Sequence, residues 1–256
     1  MGAENMLSAS TLFGFLLTLM RVSGVFVFVP IPGLKNVVDP ARLLLILGVT
    51  ISLFSVWPHP EDRVSPGVLA SWIVSEATLG LGMGLAVSFA IESFLVGAQV
   101  ISLQAGYSFA STLDPSTQAD STVLVVFAQT AAALLFFAMG LDREVLRIFA
   151  HSLEAVPAGT FLLSRGASQT LISAGSIMFS TGLRLALPII AVLIMADLSL
   201  ALLGRVNSQL HLLAIAFPVK MVLGLLILGW LCTLLPALLR GSSGMALTAA
   251  RALWSH

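Results

Sequence analysis

A chain of 256 residues that is 58% hydrophobic and 9% charged, with a mean hydropathy of +1.04, lacks the polar groups to cover a water-facing surface, because soluble domains carry roughly 25% charged residues. Lys and Arg number 12 and Asp and Glu number 12, so no basic face is available to hold a nucleic acid backbone. The outer surface is therefore expected to meet lipid or other apolar subunits, and Cys232, the single cysteine, reads as a small buried hydrophobe with no disulfide or metal partner.

In chain order, Met1 to Ser10 carry Glu4 and no Lys or Arg, so a cleaved signal is not expected there. The first predicted span is Leu7–Val29, which matches the roughly 20 residues needed to cross a bilayer. It contains Arg21, which costs about 3 kcal/mol at a helix centre. Surrounding Leu, Phe and Val offset that by about 0.3–0.6 kcal/mol each. Pro30-Ile31-Pro32-Gly33 ends the span, and Lys35, Asp39, Pro40 and Arg42 follow in a loop. The second span is Leu43–Trp57, with Trp57 where an interfacial aromatic belongs. Pro58-His59-Pro60-Glu61-Asp62-Arg63 is a polar, proline-rich loop.

The apolar stretch from Val68 to Gly106 is too long for one simple crossing. It divides into a span over Val68–Ile91, containing Glu76, and a more polar helix over Ser93–Gly106. Gly80 and Gly84 have the GxxxG spacing that lets two helix backbones approach closely. Ser88, Glu92, Gln99, Ser102 and Gly106 fall in a narrow arc at about 100° per residue. That stripe reads either as a pore or assembly surface or as an internal hydrogen-bonded seam. Tyr107–Ser121 lacks apolar periodicity, contains Asp114-Pro115-Ser116 and reads as a loop.

A further span is Thr122–Leu141. Asp142–Gln169 concentrates polar residues, its first half an amphipathic helix, and Val156-Pro157-Ala158-Gly159 turns the chain. Two last spans, Leu171–Asp197 and His211–Leu239, are interrupted by Pro188 and by Pro218 and Pro236, each of which frees a carbonyl and bends its helix. Only a short tail is expected after Arg240. No repeat is evident, every loop is shorter than a foldable unit, and the chain reads as one membrane domain over residues 1–256. Arg21, Glu76, Arg184, Asp197, Arg205 and Lys220 lie in or beside apolar runs, and each requires a partner charge, a carbonyl or water. No His, Cys or carboxylate spacing suggests a metal, no catalytic set can be assigned, and no cofactor is expected. The residues alone describe an all-α polytopic membrane protein with proline-broken helices. A solute transporter with discontinuous helices is one function compatible with that description.

The motifs go further. Gly106-Tyr107-Ser108-Phe109-Ala110-Ser111-Thr112-Leu113-Asp114-Pro115 strongly resembles the G-x-S-F-A-x-x-x-D-P signature of the flagellar biosynthetic protein FliR family. Other resemblances follow in the family's order: Arg21-Val22-Ser23-Gly24 with Pro30 and Gly33; Glu76 with Gly80 and Gly84; Leu134-Leu135-Phe136-Phe137; Ser152 and Pro157-Ala158-Gly159; then Arg205, Gln209 and Phe217-Pro218-Val219-Lys220. Ser208 stands where the family usually has proline, and Gly140-Leu141-Asp142-Arg143 replaces a glycine-histidine pair.

This resemblance implies a non-enzymatic subunit of the flagellar type III protein export gate, in the bacterial inner membrane at the flagellar basal body. Its helical hairpins would join P and Q subunits in a spiral around a channel for unfolded flagellar proteins, beside the B-type switch and A-type export subunits. The homologous virulence secretion gate is the alternative. The resemblance further implies that Gly106, Tyr107, Ser108, Phe109, Ala110, Asp114 and Pro115 form a channel plug. Arg21, Glu76, Glu92, Gln99, Arg205, Gln209 and Lys220 are then assembly residues, and Gly80 and Gly84 pack helices.

Overall fold

A computed structural model describes residues 9–29, 40–60, 64–107, 123–206 and 212–253. Helix is the only regular structure among them. The order is α1 (Ala9–Phe28), α2 (Pro40–Ser52), a 3₁₀ turn (Phe54–Val56), α3 (Pro66–Ala105), α4 (Val123–Ala138), α5 (Leu141–Ala155), α6 (Arg165–Val206) and α7 (Leu212–Ala252). Among the described residues three helices, α1, α3 and most of α6, are long and apolar enough to cross a membrane, or up to four spans if the bent pair α4 and α5 counts as one. With no water in the hydrocarbon, only a helix satisfies its own backbone polar groups, which is why apolar segments of this length fold this way.

Three expectations need correction. The stretch after Val68 is not a span followed by a separate polar helix: α3 runs unbroken for 40 residues. It contains no proline after its first residue, and its interior glycines are held by packing, as at Gly97, where an added Cβ would lie 3.0 Å from the Gly182 carbonyl oxygen. The second segment is shorter than a crossing, since the 13 residues of α2 extend only about 20 Å at 1.5 Å per residue. The tail after Arg240 is not a tail either. Helix α7 continues through Gly241–Gly244 to Ala252, and Ala250 joins Ala86 and Ile148 in a core cluster against which Leu247 and Leu171 pack. Packing of Leu247, Ala249 and Ala250 offsets the poor helix propensity of Gly241 and Gly244, which are themselves exposed.

The chain folds as two compact units, each assembled from segments distant in sequence. The first comprises Met1–Ala90, Phe136–Gly175 and Ser243–His256. In it α1 and the first half of α3 run parallel with their backbones in contact. A Cβ on Gly24 would lie 2.7 Å from the Leu81 nitrogen and one on Gly84 2.5 Å from the Val25 carbonyl oxygen, while one on Gly80 would overlap the Arg21 carbonyl oxygen. Helices α2 and α5 run the other way. Arg42 of α2 donates to the Val27 and Val29 carbonyls at the end of α1, both at 3.4 Å. The core between the helices holds Leu17, Val22 and Val25 of α1, Leu79, Met83 and Val87 of α3, and Ile148 and Phe149 of α5.

The second unit comprises Ile91–Leu135 and Ser176–Ser242. Gly182 of α6 packs on the Ser93 carbonyl and on Val96 of α3, and Gly224 of α7 packs on Ala105 and Tyr107.

Candidate functional site

Among the described residues the most enclosed polar site lies in the first unit. Arg21 and Glu76 are each 1% exposed and form a direct ion pair through Arg21 Nε and Glu76 Oε2. Arg21 Nη1 also donates to the Ser152 carbonyl at 2.6 Å and to Ser152 Oγ at 3.4 Å, and Nη2 donates to the Val156 carbonyl at 3.2 Å. Glu76 Oε1 accepts the Gly159 backbone N–H at 2.9 Å. The pair thus joins α1, α3, the end of α5 and the turn beyond it. The chemistry is matched at every contact. The last carbonyls of a helix lack internal partners and carry partial negative charge, so a guanidinium suits the end of α5. Arginine's planar fork of five donors reaches several acceptors at once, which a lysine could not do. Gly159 has φ 75°, which aims its N–H at the carboxylate and leaves room for the Trp72 ring, where a Cβ would otherwise stand.

Each charge thereby meets its partner inside the chain, not on another subunit. The requirement for a partner was legible in the sequence. The pairing was not, because 55 positions separate Arg21 from Glu76 and no local spacing connects them. Ser152 and Gly159 were visible only as elements of the family pattern; their role as ligands of the pair follows from the geometry.

A second polar cluster lies in the second unit. Lys220 Nζ of α7 stands 2.7 Å from Asp197 Oδ1 of α6 and donates to Oδ2 at 2.9 Å. Gln104 Nε2 of α3 donates to the same Oδ2 at 3.4 Å. One turn on, α3 ends in a tight cap. Gly106, at φ 86°, donates its N–H to the Leu103 carbonyl, and the Tyr107 N–H reaches back to the Ser102 carbonyl at 3.1 Å. The Tyr107 hydroxyl donates to the Met221 carbonyl of α7 at 2.7 Å. Tyr107 is therefore tied down at the root of the following segment.

The remaining site residues are distributed as follows. Ser88 and Ser102 of the polar stripe are buried, whereas Glu92 and Gln99 are exposed on α3, as is Arg205 near the end of α6. Ser108, Phe109, Ala110, Asp114, Pro115 and Gln209 lie outside the described residues. Helix α6 exposes Ile172, Phe179, Leu187, Ile194, Met195 and Leu198. Only 17% of its most apolar window is buried within the chain, against 72% for α3, so α6 must be covered by lipid or by another protein.

A chain of apolar helices with apolar outer faces, close glycine contacts and a buried Arg21–Glu76 pair is an integral membrane protein. Residues 12–245 match the family model of the bacterial export proteins, family 1, and the chain belongs to that family. It is similar to the flagellar biosynthetic protein FliR of Escherichia coli K12, 29% identical over 218 residues that cover 85% of this chain and 83% of the relative. The FliR of Pectobacterium carotovorum is 31% identical over 198 residues, 76% of each chain. That of Bacillus subtilis is 24% identical over 217 residues, 84% of each.

Proposed function

We propose that this chain is a structural subunit of the flagellar type III export gate and that, with P and Q subunits, it builds the channel through which unfolded flagellar proteins leave the cytoplasm. The observation that carries this reading is the family match over residues 12–245, with flagellar relatives aligned over most of the chain. Membership makes the chain an integral membrane component of the flagellar export apparatus. The finer reading places it in the bacterial inner membrane at the basal body, beside the B-type switch and A-type export subunits. The exposed apolar residues of α6 supply a surface for such neighbours, and exposed Glu92 and Gln99 on an otherwise apolar helix suit a wet lumen or a polar subunit contact better than lipid.

In this reading the segment after α3 is the channel plug. Tyr107, bonded to Met221, anchors its base, and Phe109 obstructs the lumen by excluding water. The test is co-expression with the candidate P and Q genes, affinity purification through a tag on this chain, and a swimming assay in a strain lacking the chain. A three-component complex and restored motility are expected. A chain that purifies without either partner, or that transports a solute alone, overturns the reading.

A further inference from the structure

A cleft in the first unit has no part in the gate reading. It encloses about 530 Å³ where the end of α2, the start of α3 and the turn after α5 meet, and its walls include Trp57, Trp72, Ser55, His59, Glu154 and Pro157. We infer that this cleft receives an arginine side chain from a different protein of the same assembly, with the guanidinium against the Glu154 carboxylate and the indoles of Trp57 and Trp72. The inference rests on the proposed role of the chain as one subunit of a larger complex.

The placement of Glu154 is the first argument. It stands in the last turn of α5, which ends at Ala155, where the helix dipole is negative and a carboxylate is disfavoured. Its side chain is exposed on the cleft wall and has no ion pair or hydrogen bond among the described residues. Arg21 and Glu76, by contrast, are satisfied inside the chain. The Glu154 charge therefore suits a cation brought from outside.

Construction is the second argument. Both indoles are held rigidly. Trp57 Nε1 donates to the Thr50 carbonyl at 2.9 Å, and its ring packs on Phe15 and Phe54 with centroids 5.3 Å and 4.9 Å away. Trp72 lies against the backbone of Gly159, which is itself fixed by its bond to Glu76. Walls ordered before binding spare the entropy of ordering them on contact.

Chemistry is the third argument. A guanidinium is planar, stacks on indole faces and presents paired N–H donors to a carboxylate, which a lysine ammonium does not. Ser55 Oγ on the same wall can accept a further N–H. The volume lies in the range of about 300–1,000 Å³ that encloses a whole ligand, so the main chain flanking the arginine enters with it.

The surroundings are the fourth argument. On the same elements Ile51, Val68, Leu162 and Leu163 are left exposed, Leu162 by 84%. A charged anchor site among exposed apolar side chains has the make-up of a protein–protein contact, where arginine and tryptophan concentrate.

The test uses the full chain in its assembled complex in cells. Photoreactive benzoylphenylalanine replaces His59, an exposed residue of the cleft wall, and the cross-linked peptides are mapped by mass spectrometry. A cross-link to a different protein is expected, at a segment that holds an arginine. Replacing that arginine with glutamate, or Glu154→Lys in this chain, should each lower the cross-link yield at least fivefold, and the two changes together should restore it to at least half. Glu154 is exposed, so folding is spared. No cross-link to another chain, capture of a lipid or of a second copy of this chain, a cross-linked segment without arginine, or a charge exchange that fails to restore the yield would each overturn the assignment. Loss of copurification with the P and Q subunits would instead overturn the gate reading, so the two failures are distinguishable.

Discussion

Arg21 and Glu76 could sit in an apolar bundle only because each satisfies the other and the backbone groups around them. Removing one member leaves a buried charge with no counter-ion, which typically costs about 3–5 kcal/mol. Arg21→Ala and Glu76→Gln are therefore both expected to lower the thermal midpoint of the purified protein sharply. Gln retains an acceptor for the Gly159 N–H but cannot neutralise Arg21, so an isosteric swap does not rescue. Combining Arg21→Met with Glu76→Gln should destabilise less than the sum of the single changes, because the two sites share one interaction. Strictly additive losses in a double-mutant cycle would show that the pair contributes nothing as a pair. Arg21→Lys should also fail, since one ammonium cannot meet Glu76, Ser152 and Val156 together.

Between elements, the closest contact is that of α1 with α3. It depends on Gly24, Gly80 and Gly84 having no side chain. Gly84→Ala puts a methyl group against the Val25 carbonyl oxygen at 2.5 Å, closer than real contacts allow, and overpacking of this kind costs about 1–3 kcal/mol. Reduced thermal stability of Gly84→Ala, with an unchanged or raised melting midpoint for Gly48→Ala, is the expected comparison, because nothing lies near Gly48 and alanine favours a helix over glycine. The segment after α3 is tested separately. Phe109→Ala, or shortening of residues 108–121, should leave the flanking helices and gate assembly intact while cells expressing the whole gate leak ions. Conductance equal to that of the unmodified gate would show that the seal lies elsewhere. Tyr107→Phe removes one hydroxyl from the anchor on Met221, and a smaller leak is expected, since a neutral hydrogen bond contributes about 1 kcal/mol.

For the whole molecule, the controlling fact is the apolar surface of α6 that the chain leaves uncovered. Alone in detergent the protein is expected to aggregate, and co-expression with its gate partners should shift it into a single species in size-exclusion chromatography. A monodisperse, stable monomer without partners would contradict this. The internal pairing of Arg21 with Glu76 and of Lys220 with Asp197 moves the cause of that dependence from unsatisfied charge to uncovered apolar surface.

The class of protein was decided by composition, because a chain with 9% charged residues has no means of coating itself for water. Helix type and approximate position followed from the length of the apolar runs, and the turn at Val156–Gly159 from its proline and glycine. Local signals failed where packing outweighed them. The division of the stretch after Val68 and the short tail after Arg240 are read from local composition, yet α3 runs on through Gly97 packed against α6, and the end of α7 is held by Leu247 and Ala250 in the core. Which charge meets which is likewise a tertiary result. Arg21 announces its need for a partner in any sequence window, but the partner is supplied by α3 and the end of α5, and only the fold brings residues so far apart in the chain within hydrogen-bonding reach.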